Sequence, residues 1–146
     1  MNIVEMTADH VIQIAQLERE CFSDPWSQNS IASELENPLS YWLVAMAGNV
    51  VAGYVGSQTV LGESDMMNLA VRGEFRRQGV ARDLVLALID GLNQRGSHCL
   101  TLEVRESNAP ARKLYEKLGF VQVGIRPNYY QHPREDGLIL RKEWER

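Results

Sequence analysis

Between Asp65 and Arg95 the chain passes from an apolar strand candidate, through a polar loop, into a long amphipathic helix. The strand is expected over Asp65–Val71 and the loop over Arg72–Gln78. The helix is expected from about Gly79 to Arg95, with Val80, Leu84, Ala87, Leu88 and Gly91 along one face and Gly96 as its stop. A strand that feeds such a helix must let it fold back onto a sheet, which confines the chain to layered α/β architectures.

The flanking segments fit that layering. Asn2–Met6 reads as a short strand, and Thr7 or Asp9 caps a helix running to about Phe22. Pro25 biases Asp24 away from helical geometry and breaks that helix within Cys21–Ser27. Ser27 starts a second short helix through Leu35, closed before Asn37-Pro38. Tyr41–Ala47 and Val50–Leu61 form a hairpin around Gly48-Asn49. Cys99–Val104 is a strand, and Ser107 or Asn108 caps a helix through Leu118 that ends at Gly119. Two last strands are expected over Phe120–Arg126 and Gly137–Lys142. The order β-α-α-β-β-β-α-β-α-β-β implies a mixed sheet flanked by helices, a three-layer α/β fold.

At 146 residues the chain suits one domain spanning 1–146, and 45% hydrophobic with 23% charged residues excludes a disordered chain. Its longest apolar runs, such as Trp42–Ala47, are too short to cross a bilayer. Met1–Glu5 has no basic or apolar leader character, so a cytoplasmic protein with no membrane partner is expected. Cys21 and Cys99 are far apart, and His10, His98 and His132 lack ligand spacing, so no metal is expected. Residues 1–75 hold ten Asp/Glu and two Arg, a balance of -8, whereas residues 76–146 hold nine Asp/Glu and thirteen Lys/Arg, a balance of +4. Solvated helix faces would explain this. So would a basic surface for an anionic cofactor beside an acidic one for a cationic substrate. A nucleic-acid protein would be more uniformly basic.

Arg76-Arg77-Gln78-Gly79-Val80-Ala81 fits the pattern Gln/Arg-x-x-Gly-x-Gly/Ala. A glycine-permitted loop opening a helix aims backbone N–H groups outward, and the helix dipole adds positive potential. That is an anion site suited to a pyrophosphate, with Arg76, Arg77 and Arg82 adding charge. Taken alone, the same residues also describe an ordinary helix start with solvated arginines. Neither Gly-x-x-x-x-Gly-Lys-Ser/Thr nor Gly-x-Gly-x-x-Gly occurs.

Glu103 stands in an apolar strand between Leu102 and Val104. Its carboxylate either faces solvent or sits in a cleft, where desolvation would bring it toward useful base strength. Asn108 and Tyr115 are seven apart on one helix and share a face, where Tyr115 is equally a core residue.

The order of strand, Arg76–Ala81, Glu103 and Asn108-x-x-Ala-x-x-x-Tyr115-x-x-x-Gly119-Phe120 resembles the GNAT superfamily of N-acetyltransferases over nearly the whole chain. Three further segments are similar to the RimI-type ribosomal-protein alanine N-acetyltransferases: Phe22–Ser27, Arg126-Pro127-Asn128-Tyr129-Tyr130, and Glu135–Leu140. Ala81 stands in place of a commoner glycine, and Gly137 where alanine is frequent. The resemblance implies a mostly antiparallel sheet, acetyl-CoA as co-substrate and no metal. It implies that the backbone of Leu69, Ala70 and Val71 pairs with the pantetheine arm, one amide polarising the thioester carbonyl. It further assigns the pyrophosphate to the N–H groups from Arg77 to Arg82, a cofactor contact to Asn108, the general base to Glu103 and the general acid to Tyr115.

Transfer requires a neutral amine. Deprotonating an α-amino group at pH 7 costs about 1–1.4 kcal/mol, against roughly 4.6 kcal/mol for a lysine. A single glutamate acting through water suits the first task, which favours a peptide N-terminus as acceptor. Phe22, Pro25 and Trp26 would form one wall of a peptide groove, with Tyr129 and Tyr130 the other, although Phe22 and Trp26 are also candidate core anchors. The implied substrate is the N-terminal alanine of the eighteenth small-subunit ribosomal protein, the enzyme acting as a monomer or weak homo-oligomer without binding nucleic acid. The alternatives are an acetyltransferase for a small amine, such as a polyamine or aminoglycoside, and a non-catalytic acyl-CoA-binding module. The paired tyrosines disfavour the first, and the joint presence of Glu103 and Tyr115 disfavours the second.

Overall fold

Along the strand Ser40–Ala47, Trp42 and Val44 enter one hydrophobic cluster while Leu43 and Ala45 enter another. Successive side chains of a strand point to opposite faces, so this sheet is covered on both sides. The computed structural model describes residues 1–144. Its strands are β1 (Asn2–Glu5), β2 (Ser40–Ala47), β3 (Val50–Val60), β4 (Glu63–Val71), β5 (Cys99–Arg105), β6 (Val121–Gln131) and β7 (Arg134–Glu143). Its helices are α1 (Val11–Cys21), α2 (Gln28–Glu34), α3 (Val80–Gln94) and α4 (Ala109–Lys117). The chain order is the expected β-α-α-β-β-β-α-β-α-β-β.

Val11, Ile14, Ala15 and Leu17 of α1 and Ile31 of α2 pack on the Trp42 face. Val80, Leu84, Val85, Leu88 and Leu92 of α3 and Tyr115 of α4 pack on the Leu43 face. The result is a helix–sheet–helix sandwich in which apolar spacing alone decides which side of each helix turns inward. Strands run in the order β1-β2-β3-β4-β5-β7-β6. All neighbours are antiparallel except β4 and β5, which are parallel.

Several boundaries differ from those expected. The first helix opens as a 3-10 turn over Ala8–His10, with the Thr7 hydroxyl accepting from the Asp9 N–H at 3.3 Å. β4 begins at Glu63, because the turn at Leu61-Gly62 joins it directly to β3. The largest difference lies at the end of the chain, where β6 continues to Gln131 instead of stopping at Arg126. A bulge between Arg126 and Tyr130 absorbs Pro127 and Asn128, the latter at φ 55. β6 lies at the sheet edge, where a missing N–H breaks no ladder. Tyr129 and Tyr130 therefore sit on a bulged strand and not in a loop.

Candidate active site

β4 pairs with β5 only through Glu63–Cys99, Ser64–Leu100 and Asp65–Thr101. From Met66 onward the strands part, and β5 pairs with β7 along its whole length. The outer edge of β4 over Met66–Val71 thus faces a gap inside the sheet, a row of backbone groups of the kind that accepts an added strand. The Arg72 N–H donates to the Ala52 carbonyl at 2.7 Å. Arg72 and, by alternation, Ala70 therefore turn their backbone groups toward β3, while those of Leu69 and Val71 face the gap. Ala70 does not present its backbone there, so the expected trio reduces to a pair.

The loop beyond β4 carries two left-handed residues, Arg77 at φ 63 and Gly79 at φ 79. Gly79 is the N-cap of α3 and has no side chain to cap it. The first N–H groups of a helix have no acceptor within it, so those of Val80, Ala81 and Arg82 remain for a ligand at the positive end of the helix dipole. The side chains contribute less than expected. Arg76 donates through Nε to the Val71 carbonyl at 3.2 Å, and Arg82 pairs with Asp83 at 3.2 Å. Gln78 donates to the Glu74 carbonyl at 3.2 Å. The unpaired backbone N–H groups and the exposed Arg77 are what this loop offers an anion. Asn108 caps α4, its Oδ1 accepting from the Ala111 N–H at 3.2 Å, which leaves its NH2 for a cofactor contact. A free strand edge followed by an uncapped helix start fits a ligand with an amide-bearing arm and a pyrophosphate.

Tyr115 is buried, and its hydroxyl donates to Met66 Sδ at 3.8 Å, at the position where β4 leaves β5. Its ring meets that of Phe120 edge-on, with centroids 5.4 Å apart. Burial pushes the Tyr115 phenol up to about 12, with a smaller contribution from Tyr130. Burial likewise pushes Tyr130 up to about 12, followed by the charges of Tyr129 and Glu103. Tyr130 therefore stands within electrostatic reach of both Glu103 and Tyr115. Glu103 is not isolated in an apolar cleft: its Oε1 lies 2.9 Å from Nε of Arg126.

Both aromatic segments are anchored. Trp26 packs edge-on against Trp42 at 5.5 Å, and with Phe22 it leans on the α1-side core, leaving Pro25 exposed. Trp26 and Phe22 are thus core anchors at least in part. Tyr129 and Tyr130 contact each other edge-on at 5.0 Å. A Cβ on Gly137 would lie 3.1 Å from the Tyr129 ring, so the glycine makes room for it.

Sequence reasoning missed the residues that hold these segments in place. Arg105 stacks on Tyr130 at 4.3 Å and donates to the Pro133 carbonyl at 2.9 Å. It also pairs with Glu135 at 3.0 Å, and Glu135 accepts from the Ser107 N–H at 3.1 Å. Hydrogen bonds from Arg105 hold the Glu135 carboxyl below the usual carboxylate range. Glu18 is fully buried, as is most of Glu34, so two of the ten acids in the first half do not belong to a solvated acidic face. Glu63, His98 and Cys99 gather at the far end of β5, where Glu63 is bound to Arg141 at 3.3 Å. Among the described residues no helix is long and apolar enough to cross a membrane.

The model of the acetyltransferase (GNAT) family matches residues 11–120. The [ribosomal protein bS18]-alanine N-acetyltransferase of Escherichia coli K12 is 41% identical over 127 residues, covering 85% of this chain and 84% of that protein. The protein of that name from Haemophilus ducreyi is 37% identical over 142 residues, covering 95% of each. The crystal structure of the ribosomal-protein-S18-alanine N-acetyltransferase from Escherichia coli superposes with a TM-score of 0.91 at 34% identity, over 99% of this chain and 94% of that one.

Proposed function

This chain belongs to the acetyltransferase (GNAT) family, and from that premise we propose that it acetylates the N-terminal alanine of ribosomal protein bS18, using acetyl-CoA. The observation that carries the reading is the Tyr115 hydroxyl, which reaches Met66 Sδ where β4 leaves β5, beside the open edge of β4 and the uncapped start of α3. The names of relatives about 40% identical over most of the chain support the acceptor.

Acetyl-CoA supplies the acetyl group as a thioester, activated toward an amine. The backbone of Leu69 and Val71 holds the pantetheine arm at the open edge of β4, with an amide there polarising the thioester carbonyl. The N–H groups at the start of α3 hold the pyrophosphate, and the Asn108 amide contacts the cofactor. Glu103 takes the proton from the acceptor amine, directly or through water. As the new C–N bond forms and the C–S bond breaks, the Tyr115 hydroxyl delivers its proton to the departing sulfur. Its raised pKa keeps that proton in place throughout the neutral range. Phe22, Pro25 and Trp26 on one side and Tyr129 and Tyr130 on the other border the peptide.

The test is acetyl transfer to short peptides that differ only at residue one, with a lysine-only peptide and spermidine as controls. Alanine-first peptides with the bS18 N-terminal sequence are expected to be acetylated fastest. Faster transfer to spermidine would replace this reading with the small-amine one.

A further inference from the structure

We propose that Glu18 is a positioning residue that sets the distance between the acceptor-side loop and the donor-side strand. Its carboxylate bonds the Trp26 backbone of one and the Asn68 side chain of the other. The inference rests on the N-terminal acetyltransferase reading above, because that reading makes these two segments opposite sides of the transfer site.

Glu18 lies on α1 with no exposed surface. Its Oε1 accepts from the Trp26 N–H at 2.8 Å, and its Oε2 accepts from Asn68 Nδ2 at 2.7 Å and from the Tyr54 hydroxyl. All three donors are neutral, and no Lys or Arg among the described residues forms an ion pair with it. Burying a carboxylate without a counter-charge is costly, and only the hydrogen bonds it accepts offset that cost. Burial indeed pushes the Glu18 carboxyl above the usual carboxylate range, against the hydrogen bonds it accepts. What a carboxylate offers is two oxygens that only accept, so three donors from three different elements can converge on it.

Those elements border the proposed site. Trp26 belongs to the loop that carries Phe22 and Pro25. Tyr54, on β3, stacks on Trp42 at 5.9 Å, and Trp42 in turn receives the edge of Trp26. Asn68 is the residue before Leu69 and pairs with Gly56 beside the β3–β4 bulge. Any movement of Glu18 therefore shifts the acceptor loop relative to the open edge of β4.

The experiment compares Glu18→Gln, Asn68→Ala, Asn68→Asp and the double variant Glu18→Gln/Asn68→Asp. Glu18→Gln turns an amide donor toward the Asn68 amide. In the double variant the new amide at position 18 donates to a carboxylate at position 68, and the pair is restored with reversed polarity. Each single variant is expected to raise the peptide KM at least tenfold and the acetyl-CoA Kd, measured by calorimetry, less than threefold. The double variant is expected to return the peptide KM to within about threefold of wild type. Hydrogen–deuterium exchange is expected to rise at residues 22–27 and 66–69 in Glu18→Gln, with α3 and α4 unchanged. Should Glu18→Gln fail to fold, Asn68→Ala reads the same KM split while keeping the bond to Trp26. Equal weakening of both substrates, unchanged kinetics, or no rescue in the double variant overturns the proposal. A wild-type protein inactive on every peptide sinks the substrate reading instead. The tie is then decided by exchange alone, and unchanged exchange at 22–27 removes it.

Discussion

Oε1 of Glu103 and Nε of Arg126 lie 2.9 Å apart, so the carboxylate proposed to take the amine proton is already paired with a cation. The Glu103 side chain is 23% exposed and that of Arg126 is 55% exposed, which keeps the pair within reach of solvent and weak. An incoming ammonium has to take the place of the guanidinium. Arg126→Ala is therefore expected to lower the peptide KM by about twofold to fivefold, the scale of an exposed ion pair worth up to about 1 kcal/mol. Initial-rate kinetics check this, and a higher KM would mean that Arg126 holds the peptide.

Glu103→Gln removes the proposed base but leaves the acceptor free to lose its proton to solvent. An α-amine has a reference pKa of about 7.7–8.0. The loss of kcat/KM is expected to reach about 100-fold near pH 6 and to shrink above pH 8.5, where the amine is already neutral. A variant profile parallel to that of wild type removes Glu103 from the role.

Tyr115→Phe deletes a hydroxyl whose one hydrogen-bond partner among the described residues is Met66 Sδ at 3.8 Å, a weak acceptor. Stability is expected to change by less than about 1 kcal/mol, while kcat falls by about 100-fold or more and acetyl-CoA binding stays near normal. Thermal melting, turnover and calorimetry separate the three effects.

Burial raises the Tyr115 phenol to about 12 in the folded protein, above its ordinary value near 10. A group shifted upward contributes stability that is complete below the unfolded value and lost as pH rises through the folded one. That window opens near pH 10 and closes near 12, so ionisation of Tyr115 is expected to produce no descending limb in the rate profile below about pH 11. A limb near pH 9 that disappears in Tyr115→Phe would contradict the assignment.

Gly79→Ala tests the anion site. The added Cβ would meet only the Arg82 guanidinium at 3.4 Å, so space is available, but the backbone sits at φ 79. A left-handed residue other than glycine costs about 1–2 kcal/mol. Melting is expected to fall by that measure and the acetyl-CoA Kd to rise about tenfold, with the peptide KM changing least. Calorimetry against acetyl-CoA reads the effect directly.

Residue order alone determined the element sequence, because its signals act over a few positions. Pro25 broke the first helix, Gly48-Asn49 closed a hairpin, Gly96 and Gly119 followed two helices, and a 3.6-residue period marked the inner face of α3. The uncapped start of α3 at Gly79 was legible for the same reason. Other features depend on partners distant in the chain, and only the tertiary structure decided them. The parting of β4 from β5 after Asp65 coincides with a bulge against β3, where Met66 pairs with Ser57 and Asn68 with Gly56 and Met67 is left over. The bulge that carried β6 past Pro127 depended on its being the edge strand. Glu18 read as one acid among ten until Tyr54 and Asn68, 36 and 50 residues away, surrounded its carboxylate. Local propensity chooses helix or strand within a few residues, whereas a gap, an ion pair or a buried carboxylate exists only once packing has brought remote segments together.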